Sequence, residues 1–201
     1  MNRREALKSI GVAATLSLSS KELFALGREA HAQLHASAGE DRYLFQCLDA
    51  DESEILSAAA ELILPETDTP GARAAKVPEF IDSLLEGWFH DDERKKFLRG
   101  LRDLDERARS SEGTGFASCA NAAQTRILQE VEREALSEIE TEKPSRLALR
   151  GAQSSPGAPF FSALKWLTLF GYYTSEAGMA EELEFVDFPG SYDGCALLRS
   201  R

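Results

Sequence analysis

Four carboxylates, Glu66, Asp68, Glu79 and Asp82, stand within the stretch Leu64–Trp88, which reads LPETDTPGARAAKVPEFIDSLLEGW. Carboxylates grouped in this way could bind a cation or act as a general acid and base, the latter only where an enclosed pocket drives their pKa values apart. Each also has a structural use. Asp68 can open a turn, and Glu79 and Asp82 fall near the start of an expected helix, where negative charge is favoured. The structural reading is the stronger, and the alternating acidic pattern of a calcium loop is absent. A second candidate group is aromatic: Trp166, Phe170, Tyr172 and Tyr173 could stack on a flavin or line a quinone pocket, but rings at helical spacing more often build core or a contact surface. With Tyr192 and Cys195 near the C-terminus they form the candidate partner interface. Three cysteines, Cys47, Cys119 and Cys195, lie far apart, and His31, His35 and His90 have no ligand spacing, so zinc, haem c and iron–sulfur sites are not expected. Pairing of Cys195 with Cys47, with Cys119 or with another chain is left open. No dinucleotide, P-loop, nucleophile-elbow or H-E-x-x-H pattern occurs. The chain is therefore expected to carry no cofactor and to catalyse nothing by itself.

The elements that must position these residues are helical almost throughout. Asp49 with Glu52 forms a capping box, followed by Ile55, Ala58, Ala59, Leu62 and Ile63 at helical spacing. The motif Glu66-Thr67-Asp68-Thr69-Pro70-Gly71 then interrupts, because Pro65 and Pro70 cannot sit inside a helix or a central strand. A type II turn is predicted there, with Gly71 at the position requiring positive φ. Pro78 restarts a helix whose face is Phe80, Ile81, Leu84, Leu85 and Trp88. The cluster Asp91-Asp92-Glu93 begins a third helix with Phe97, Leu98, Leu101, Leu104 and Ala108 inward. Ser118 is the expected cap of a fourth, with Ile127, Leu128, Val131 and Ala135 inward. Glu138 to Pro159 is rich in Pro and Gly and reads as a long loop with at most one short helical turn. Phe160 to Tyr173 is apolar around most of its circumference, with Gly171 expected to end or kink it. Such a helix has more oily surface than a small body is expected to hide, which predicts cover by another polypeptide. The fold class is thus mostly α, a small helical bundle-like domain with a long loop and an extended C-terminal tail.

The chain has 201 residues, 23 Lys plus Arg against 34 Asp plus Glu, and a formal net charge of −11. Such a balance excludes nucleic acid as a partner, since phosphate binding rests on clustered Lys and Arg. It also disfavours an anionic membrane surface. Residues 1–32 read as an export signal: Arg3 and Arg4 precede a weakly apolar run, Ile10 to Leu18, too short to span a bilayer, and Ala30-His31-Ala32 offers a cleavage site. Residues 33–45 are expected to be a mobile arm and 46–201 a single helical domain.

The strings P-E-T-D-T-P-G-A (65–72) and V-P-E-F-I-D (77–82), the N-terminal R-R, the aromatic stretch 160–176 and P-G-S-Y-D-G-C (189–195) together resemble the gluconate 2-dehydrogenase subunit 3 family. The resemblance implies a small accessory subunit of a flavin-dependent dehydrogenase acting on gluconate, a sugar or an alcohol. It further implies a large FAD-bearing catalytic subunit and a cytochrome c subunit carrying haem c, and the twin-arginine type of the signal around Arg3 and Arg4 puts the expected location in the periplasm. The alternative is a stand-alone exported helical module that binds a ligand in an aromatic pocket.

Overall fold

The computed structural model describes residues 25, 27–29, 31, 43–141 and 159–183. Tyr192, Cys195, Arg3 and Arg4 lie outside the described residues, as do the tail from 184 and residues 142–158 of the expected loop. Five helices carry the fold: α1 (Ala50–Ile63), α2 (Val77–Gly87), α3 (Asp91–Glu112), α4 (Asn121–Thr141) and α5 (Phe160–Thr174). A 3₁₀ turn, Phe116–Ser118, joins α3 to α4, and a short π turn, Gly178–Glu182, follows α5. Among the described residues there is no strand. The mostly α architecture expected from the apolar spacing is the one observed.

The capping box at α1 forms as the sequence requires: Glu52 N donates to Asp49 Oδ1 at 2.8 Å and Asp49 N donates back to Glu52 Oε2 at 3.2 Å. Glu52 does a second job, because Arg102 of α3 donates to its other oxygen at 2.8 Å, tying the start of α1 to the middle of α3. At the start of α3, His90 N donates to Glu93 Oε2 at 3.1 Å. That helix ends on Gly113, whose φ of 77° is the left-handed cap that glycine adopts at little cost. Pairs Arg107–Glu134 and Arg126–Glu112 stitch α3 to α4 along their solvent side.

Helix α5 is the axis of the core, packing against α1, α2, α3 and α4 alike. Leu164, Leu167 and Thr168 are all but inaccessible to water, and the Thr168 hydroxyl is satisfied by Leu164 O at 2.8 Å. Among the described residues the fully exposed large apolar side chains, Leu44, Leu136 and Leu183, lie off this helix, and the surplus of oily surface on α5 is reduced to the half-buried Phe160, Trp166, Leu169, Phe170 and Tyr173. Four neighbouring helices enclose most of it because each presents the apolar face its sequence predicts.

Further expectations are corrected. Gly171 does not end α5, which continues to Thr174; a Cβ there would stand 2.8 Å from Phe80 Cδ1, so the missing side chain lets α2 approach. Ser118 lies in the 3₁₀ turn, and α4 begins at Asn121. Residues 138–141, expected as loop, continue α4. Residues 43–45, placed in a mobile arm, are held against α2 through Tyr43, as described below.

Candidate functional site

The four carboxylates do not converge. Glu66 and Asp68 are exposed on the turn between α1 and α2, Glu79 is half-buried, and Asp82 is wholly buried. Asp82 reaches back to the segment preceding α1: its Oδ2 accepts from Tyr43 Oη at 2.8 Å and Gln46 N at 2.9 Å, and its Oδ1 from Cys47 N at 2.9 Å and Leu48 N at 3.0 Å. Every lone pair is thereby occupied, as a buried carboxylate demands, and none is left for a substrate or cation. Burial first, and then the bond to Asp82, push the Tyr43 phenol well above its ordinary value. Burial and the Asp82 charge likewise push the Cys47 thiol up to about 11, making it a poor nucleophile. Among the described residues Cys47 and Cys119 form no disulfide.

The turn motif is held by a residue the sequence reading passed over. Glu61, in the last turn of α1, accepts from Glu66 N at 3.0 Å through one oxygen and from Arg73 N at 2.9 Å through the other. Thr67 Oγ1 donates to Asp68 Oδ1 at 3.0 Å, Thr67 N to Thr69 O at 3.0 Å, and Ala72 N to Leu64 O at 2.9 Å. Gly71 is not left-handed, so the predicted type II turn does not form; Gly113 is the positive-φ glycine among the described residues. Glycine is needed at 71 for a different reason: the Glu61 carboxylate passes over it, and a Cβ would collide with Glu61 Oε1 and lie 2.7 Å from Glu66 N. An acid at a helix C-terminus opposes the macrodipole, and that anomaly was the signal for a dedicated partner. Pro70 is half-buried, and Pro78 lies in the first turn of α2 as expected, where a missing N–H leaves no bond unmade.

A cleft of about 390 Å³ opens between α1, the start of α2 and the 3₁₀ turn, lined by Ser53, Glu54, Ser57, Arg73, Pro78, Glu79 and Ala117. Glu79 Oε2 is buried without a hydrogen-bond partner, and burial raises the carboxyl pKa. The two serines are committed to the helix: Ser53 Oγ donates to Ala50 O at 2.8 Å and Ser57 Oγ to Ser53 O at 2.7 Å. Neither is paired with a base in the manner of an activated nucleophile. Among the described residues no three His, Cys, Asp or Glu side chains are grouped to hold a metal ion.

The aromatic candidates divide. Tyr172, only 3% exposed, belongs to the chain's own core and is closed to a partner. Trp166, Phe170 and Tyr173 are half-buried. Trp166 stacks on Phe170 at 4.9 Å, Phe170 meets Phe80 of α2 edge-on at 5.7 Å, and Phe80 stacks on His31 at 4.4 Å. A line of four rings thus runs along the seam between α2 and α5. Phe116, fully buried under the 3₁₀ turn with its N–H on Asp105 Oδ1 at 2.8 Å, was missed because a lone Phe between Gly115 and Ala117 has no periodicity to reveal it.

Fold and sites together define a small helical protein in which Asp82 and Glu61 are committed to the chain's own backbone. The signature of the family described as Gluconate 2-dehydrogenase subunit 3 matches residues 50–190, and the chain belongs to that family. Its name makes the chain a component of a multi-subunit dehydrogenase. No curated protein and no solved structure matches the chain. Among the described residues no helix is long and apolar enough to cross a membrane.

Proposed function

We propose that this chain is the non-catalytic small subunit of a periplasmic flavin-dependent dehydrogenase acting on gluconate, a sugar or an alcohol. In this reading it supplies the twin-arginine export signal through Arg3 and Arg4 and stabilises a large FAD-bearing catalytic subunit. A cytochrome c subunit with haem c takes the electrons. The observation that carries the proposal is the family signature running from the first residue of α1 past the π turn, across all five helices. The site chemistry agrees: Asp82 is saturated by backbone and phenol donors, and Glu66 and Asp68 are exposed on a turn rather than enclosed in a pocket. The stand-alone binding module draws no support from the cleft, whose lining comes from α1, α2, the link between them and the 3₁₀ turn and includes none of the aromatic residues of α5.

The test is purification of the tagged chain from its native host, with identification of the proteins that accompany it and of any yellow flavin colour. A stoichiometric flavoprotein is expected. Arg3→Lys with Arg4→Lys is expected to keep that flavoprotein in the cytoplasm. A chain that purifies alone, or a flavoprotein exported normally beside the double variant, would overturn the proposal.

A further inference from the structure

The two acids at the start of α2 have opposite fates in the fold. Asp82 accepts four donors, whereas Glu79, three residues earlier, has a buried Oε2 that no donor of the described residues reaches. A buried acceptor left unmet is costly, and burial holds this carboxyl above its ordinary pKa. The backbone of Glu79 and the Lys76 charge act in the other direction, yet neither bonds Oε2. Glu79 caps nothing either, since α2 begins without a side-chain cap bond. Groups that weaken the free protein cluster where function needs them.

Glu79 stands on the wall of the cleft of about 390 Å³, and the side chains around it are short of donors. The Ser53 and Ser57 hydroxyls give their protons to Ala50 O and Ser53 O, which leaves them only lone pairs to offer. Glu54, exposed on the rim, accepts and cannot donate. Pro78 and Ala117 add apolar wall. Arg73 is the lining side chain that carries donors, and its Nε is already on Ser57 O at 3.2 Å. An acceptor-rich cleft with an apolar wall, in a chain of net charge −11, calls for an occupant with many donors, a positive charge and a methylene stem. An arginine side chain has all three, with five N–H donors in one plane and a weakly hydrated head that tolerates enclosure. The terminal torsion of a glutamate is soft, so the Glu79 carboxyl can turn to present Oε2 to a group seated in the cleft.

We infer that the cleft between α1, the start of α2 and the 3₁₀ turn receives an arginine side chain of the catalytic partner subunit, held by Glu79 and Glu54. The inference rests on the proposed partnership and gives it a point of contact. The lining residues all fall between 53 and 117, so none leaves with the export signal. The unprocessed chain can therefore hold its partner, as co-export requires. The guanidinium brings Glu79 the donor and the countercharge that the free chain lacks, so one acid weakens the lone subunit and strengthens the complex.

The experiment compares the tagged chain with its Glu79→Gln variant, each purified with the flavoprotein from the native host. Glu79→Gln is expected to weaken the complex about tenfold, read from the concentration at which flavoprotein is lost on dilution, while raising the urea midpoint of the chain alone at pH 7. A merely structural role would move both in the same direction. Added salt should loosen the wild-type complex more steeply than the variant's, which lacks the charge. Phenylglyoxal, which modifies guanidinium groups, should spare one arginine of the catalytic subunit in the wild-type complex and label it in the Glu79→Gln complex, with mass spectrometry locating the position. Glu54→Gln, on the exposed rim, should weaken the complex in the same sense, which keeps the test open if Glu79→Gln fails to fold. A complex equally tight with wild type and both variants, or no arginine shielded by the wild-type chain, would overturn the inference and leave the co-purifying flavoprotein in place. A wild-type chain that brings down no flavoprotein would overturn the subunit reading, and the inference with it.

Discussion

A carboxylate that accepts three backbone N–H groups and one phenol cannot be exchanged for its amide without setting a donor against a donor. Asp82→Asn is therefore expected to cost about 3 kcal/mol, because at least one buried N–H loses its acceptor, whereas Tyr43→Phe removes a single bond and should cost about 1 kcal/mol. Urea unfolding of the two variants checks the ratio; equal costs would mean that the backbone donors have found water. Glu79 behaves in the opposite sense. Burial raises its pKa from 4.5, so the folded chain holds a proton that the unfolded chain has released, and stability falls as pH rises from that value through the raised one. Glu79→Gln should accordingly stabilise the protein at pH 7, by less than about 1 kcal/mol once solvent screening is allowed for, and the gain should vanish below pH 4.5. A gain that persists in acid would trace to packing. Asp82 was open to correct reading from the sequence: it lies four residues after Pro78 and three before Leu85, hence on the buried side of α2.

The link between α1 and α2 shows where sequence reasoning stops. Two prolines and a glycine announced that the chain must leave the helix and return, and it does. The mechanism was not legible, because it depends on a side chain from the preceding helix reaching over the turn, a contact between Glu61 and Arg73 N across twelve residues that no local pattern encodes. The two accounts of Gly71 differ in a measurable way. If glycine were needed for a left-handed backbone, Gly71→Ala and Glu61→Ala would weaken the protein independently. With glycine needed as clearance for the Glu61 carboxylate, Gly71→Ala should cost about 2 kcal/mol in the wild type and markedly less in the Glu61→Ala background. A double-mutant cycle by thermal unfolding decides it. The capping box, the proline at the start of α2 and the apolar faces were all readable, since each is a relation among residues within a turn or two of one another.

How the helices combine was legible only in part. An α5 apolar on most sides was rightly read as surrounded, but sequence cannot count the neighbours available to surround it, and four helices of the same chain cover most of it. The apolar surface that α5 leaves partly uncovered is correspondingly smaller than the hydrophobicity of that helix suggests, reduced to the half-buried Phe160, Trp166, Leu169, Phe170 and Tyr173. A hub of this kind has a thermodynamic consequence. Each outer helix buries its face against α5, so none keeps its core when α5 is lost, and the body should unfold in one step. The two tryptophans report on different helices, Trp88 directly after α2 and Trp166 within α5. In single-tryptophan variants, Trp88→Phe and Trp166→Phe, the fluorescence transitions should coincide with each other and with loss of helicity. Leu167→Ala, at the wall of the core, should cost about 3 kcal/mol and lower both midpoints together by roughly 6–12 °C. Should the Trp88 signal survive the loss of the Trp166 signal, α1 and α2 would constitute a stable unit without α5, and the seam between α2 and α5 would be a surface that opens on its own.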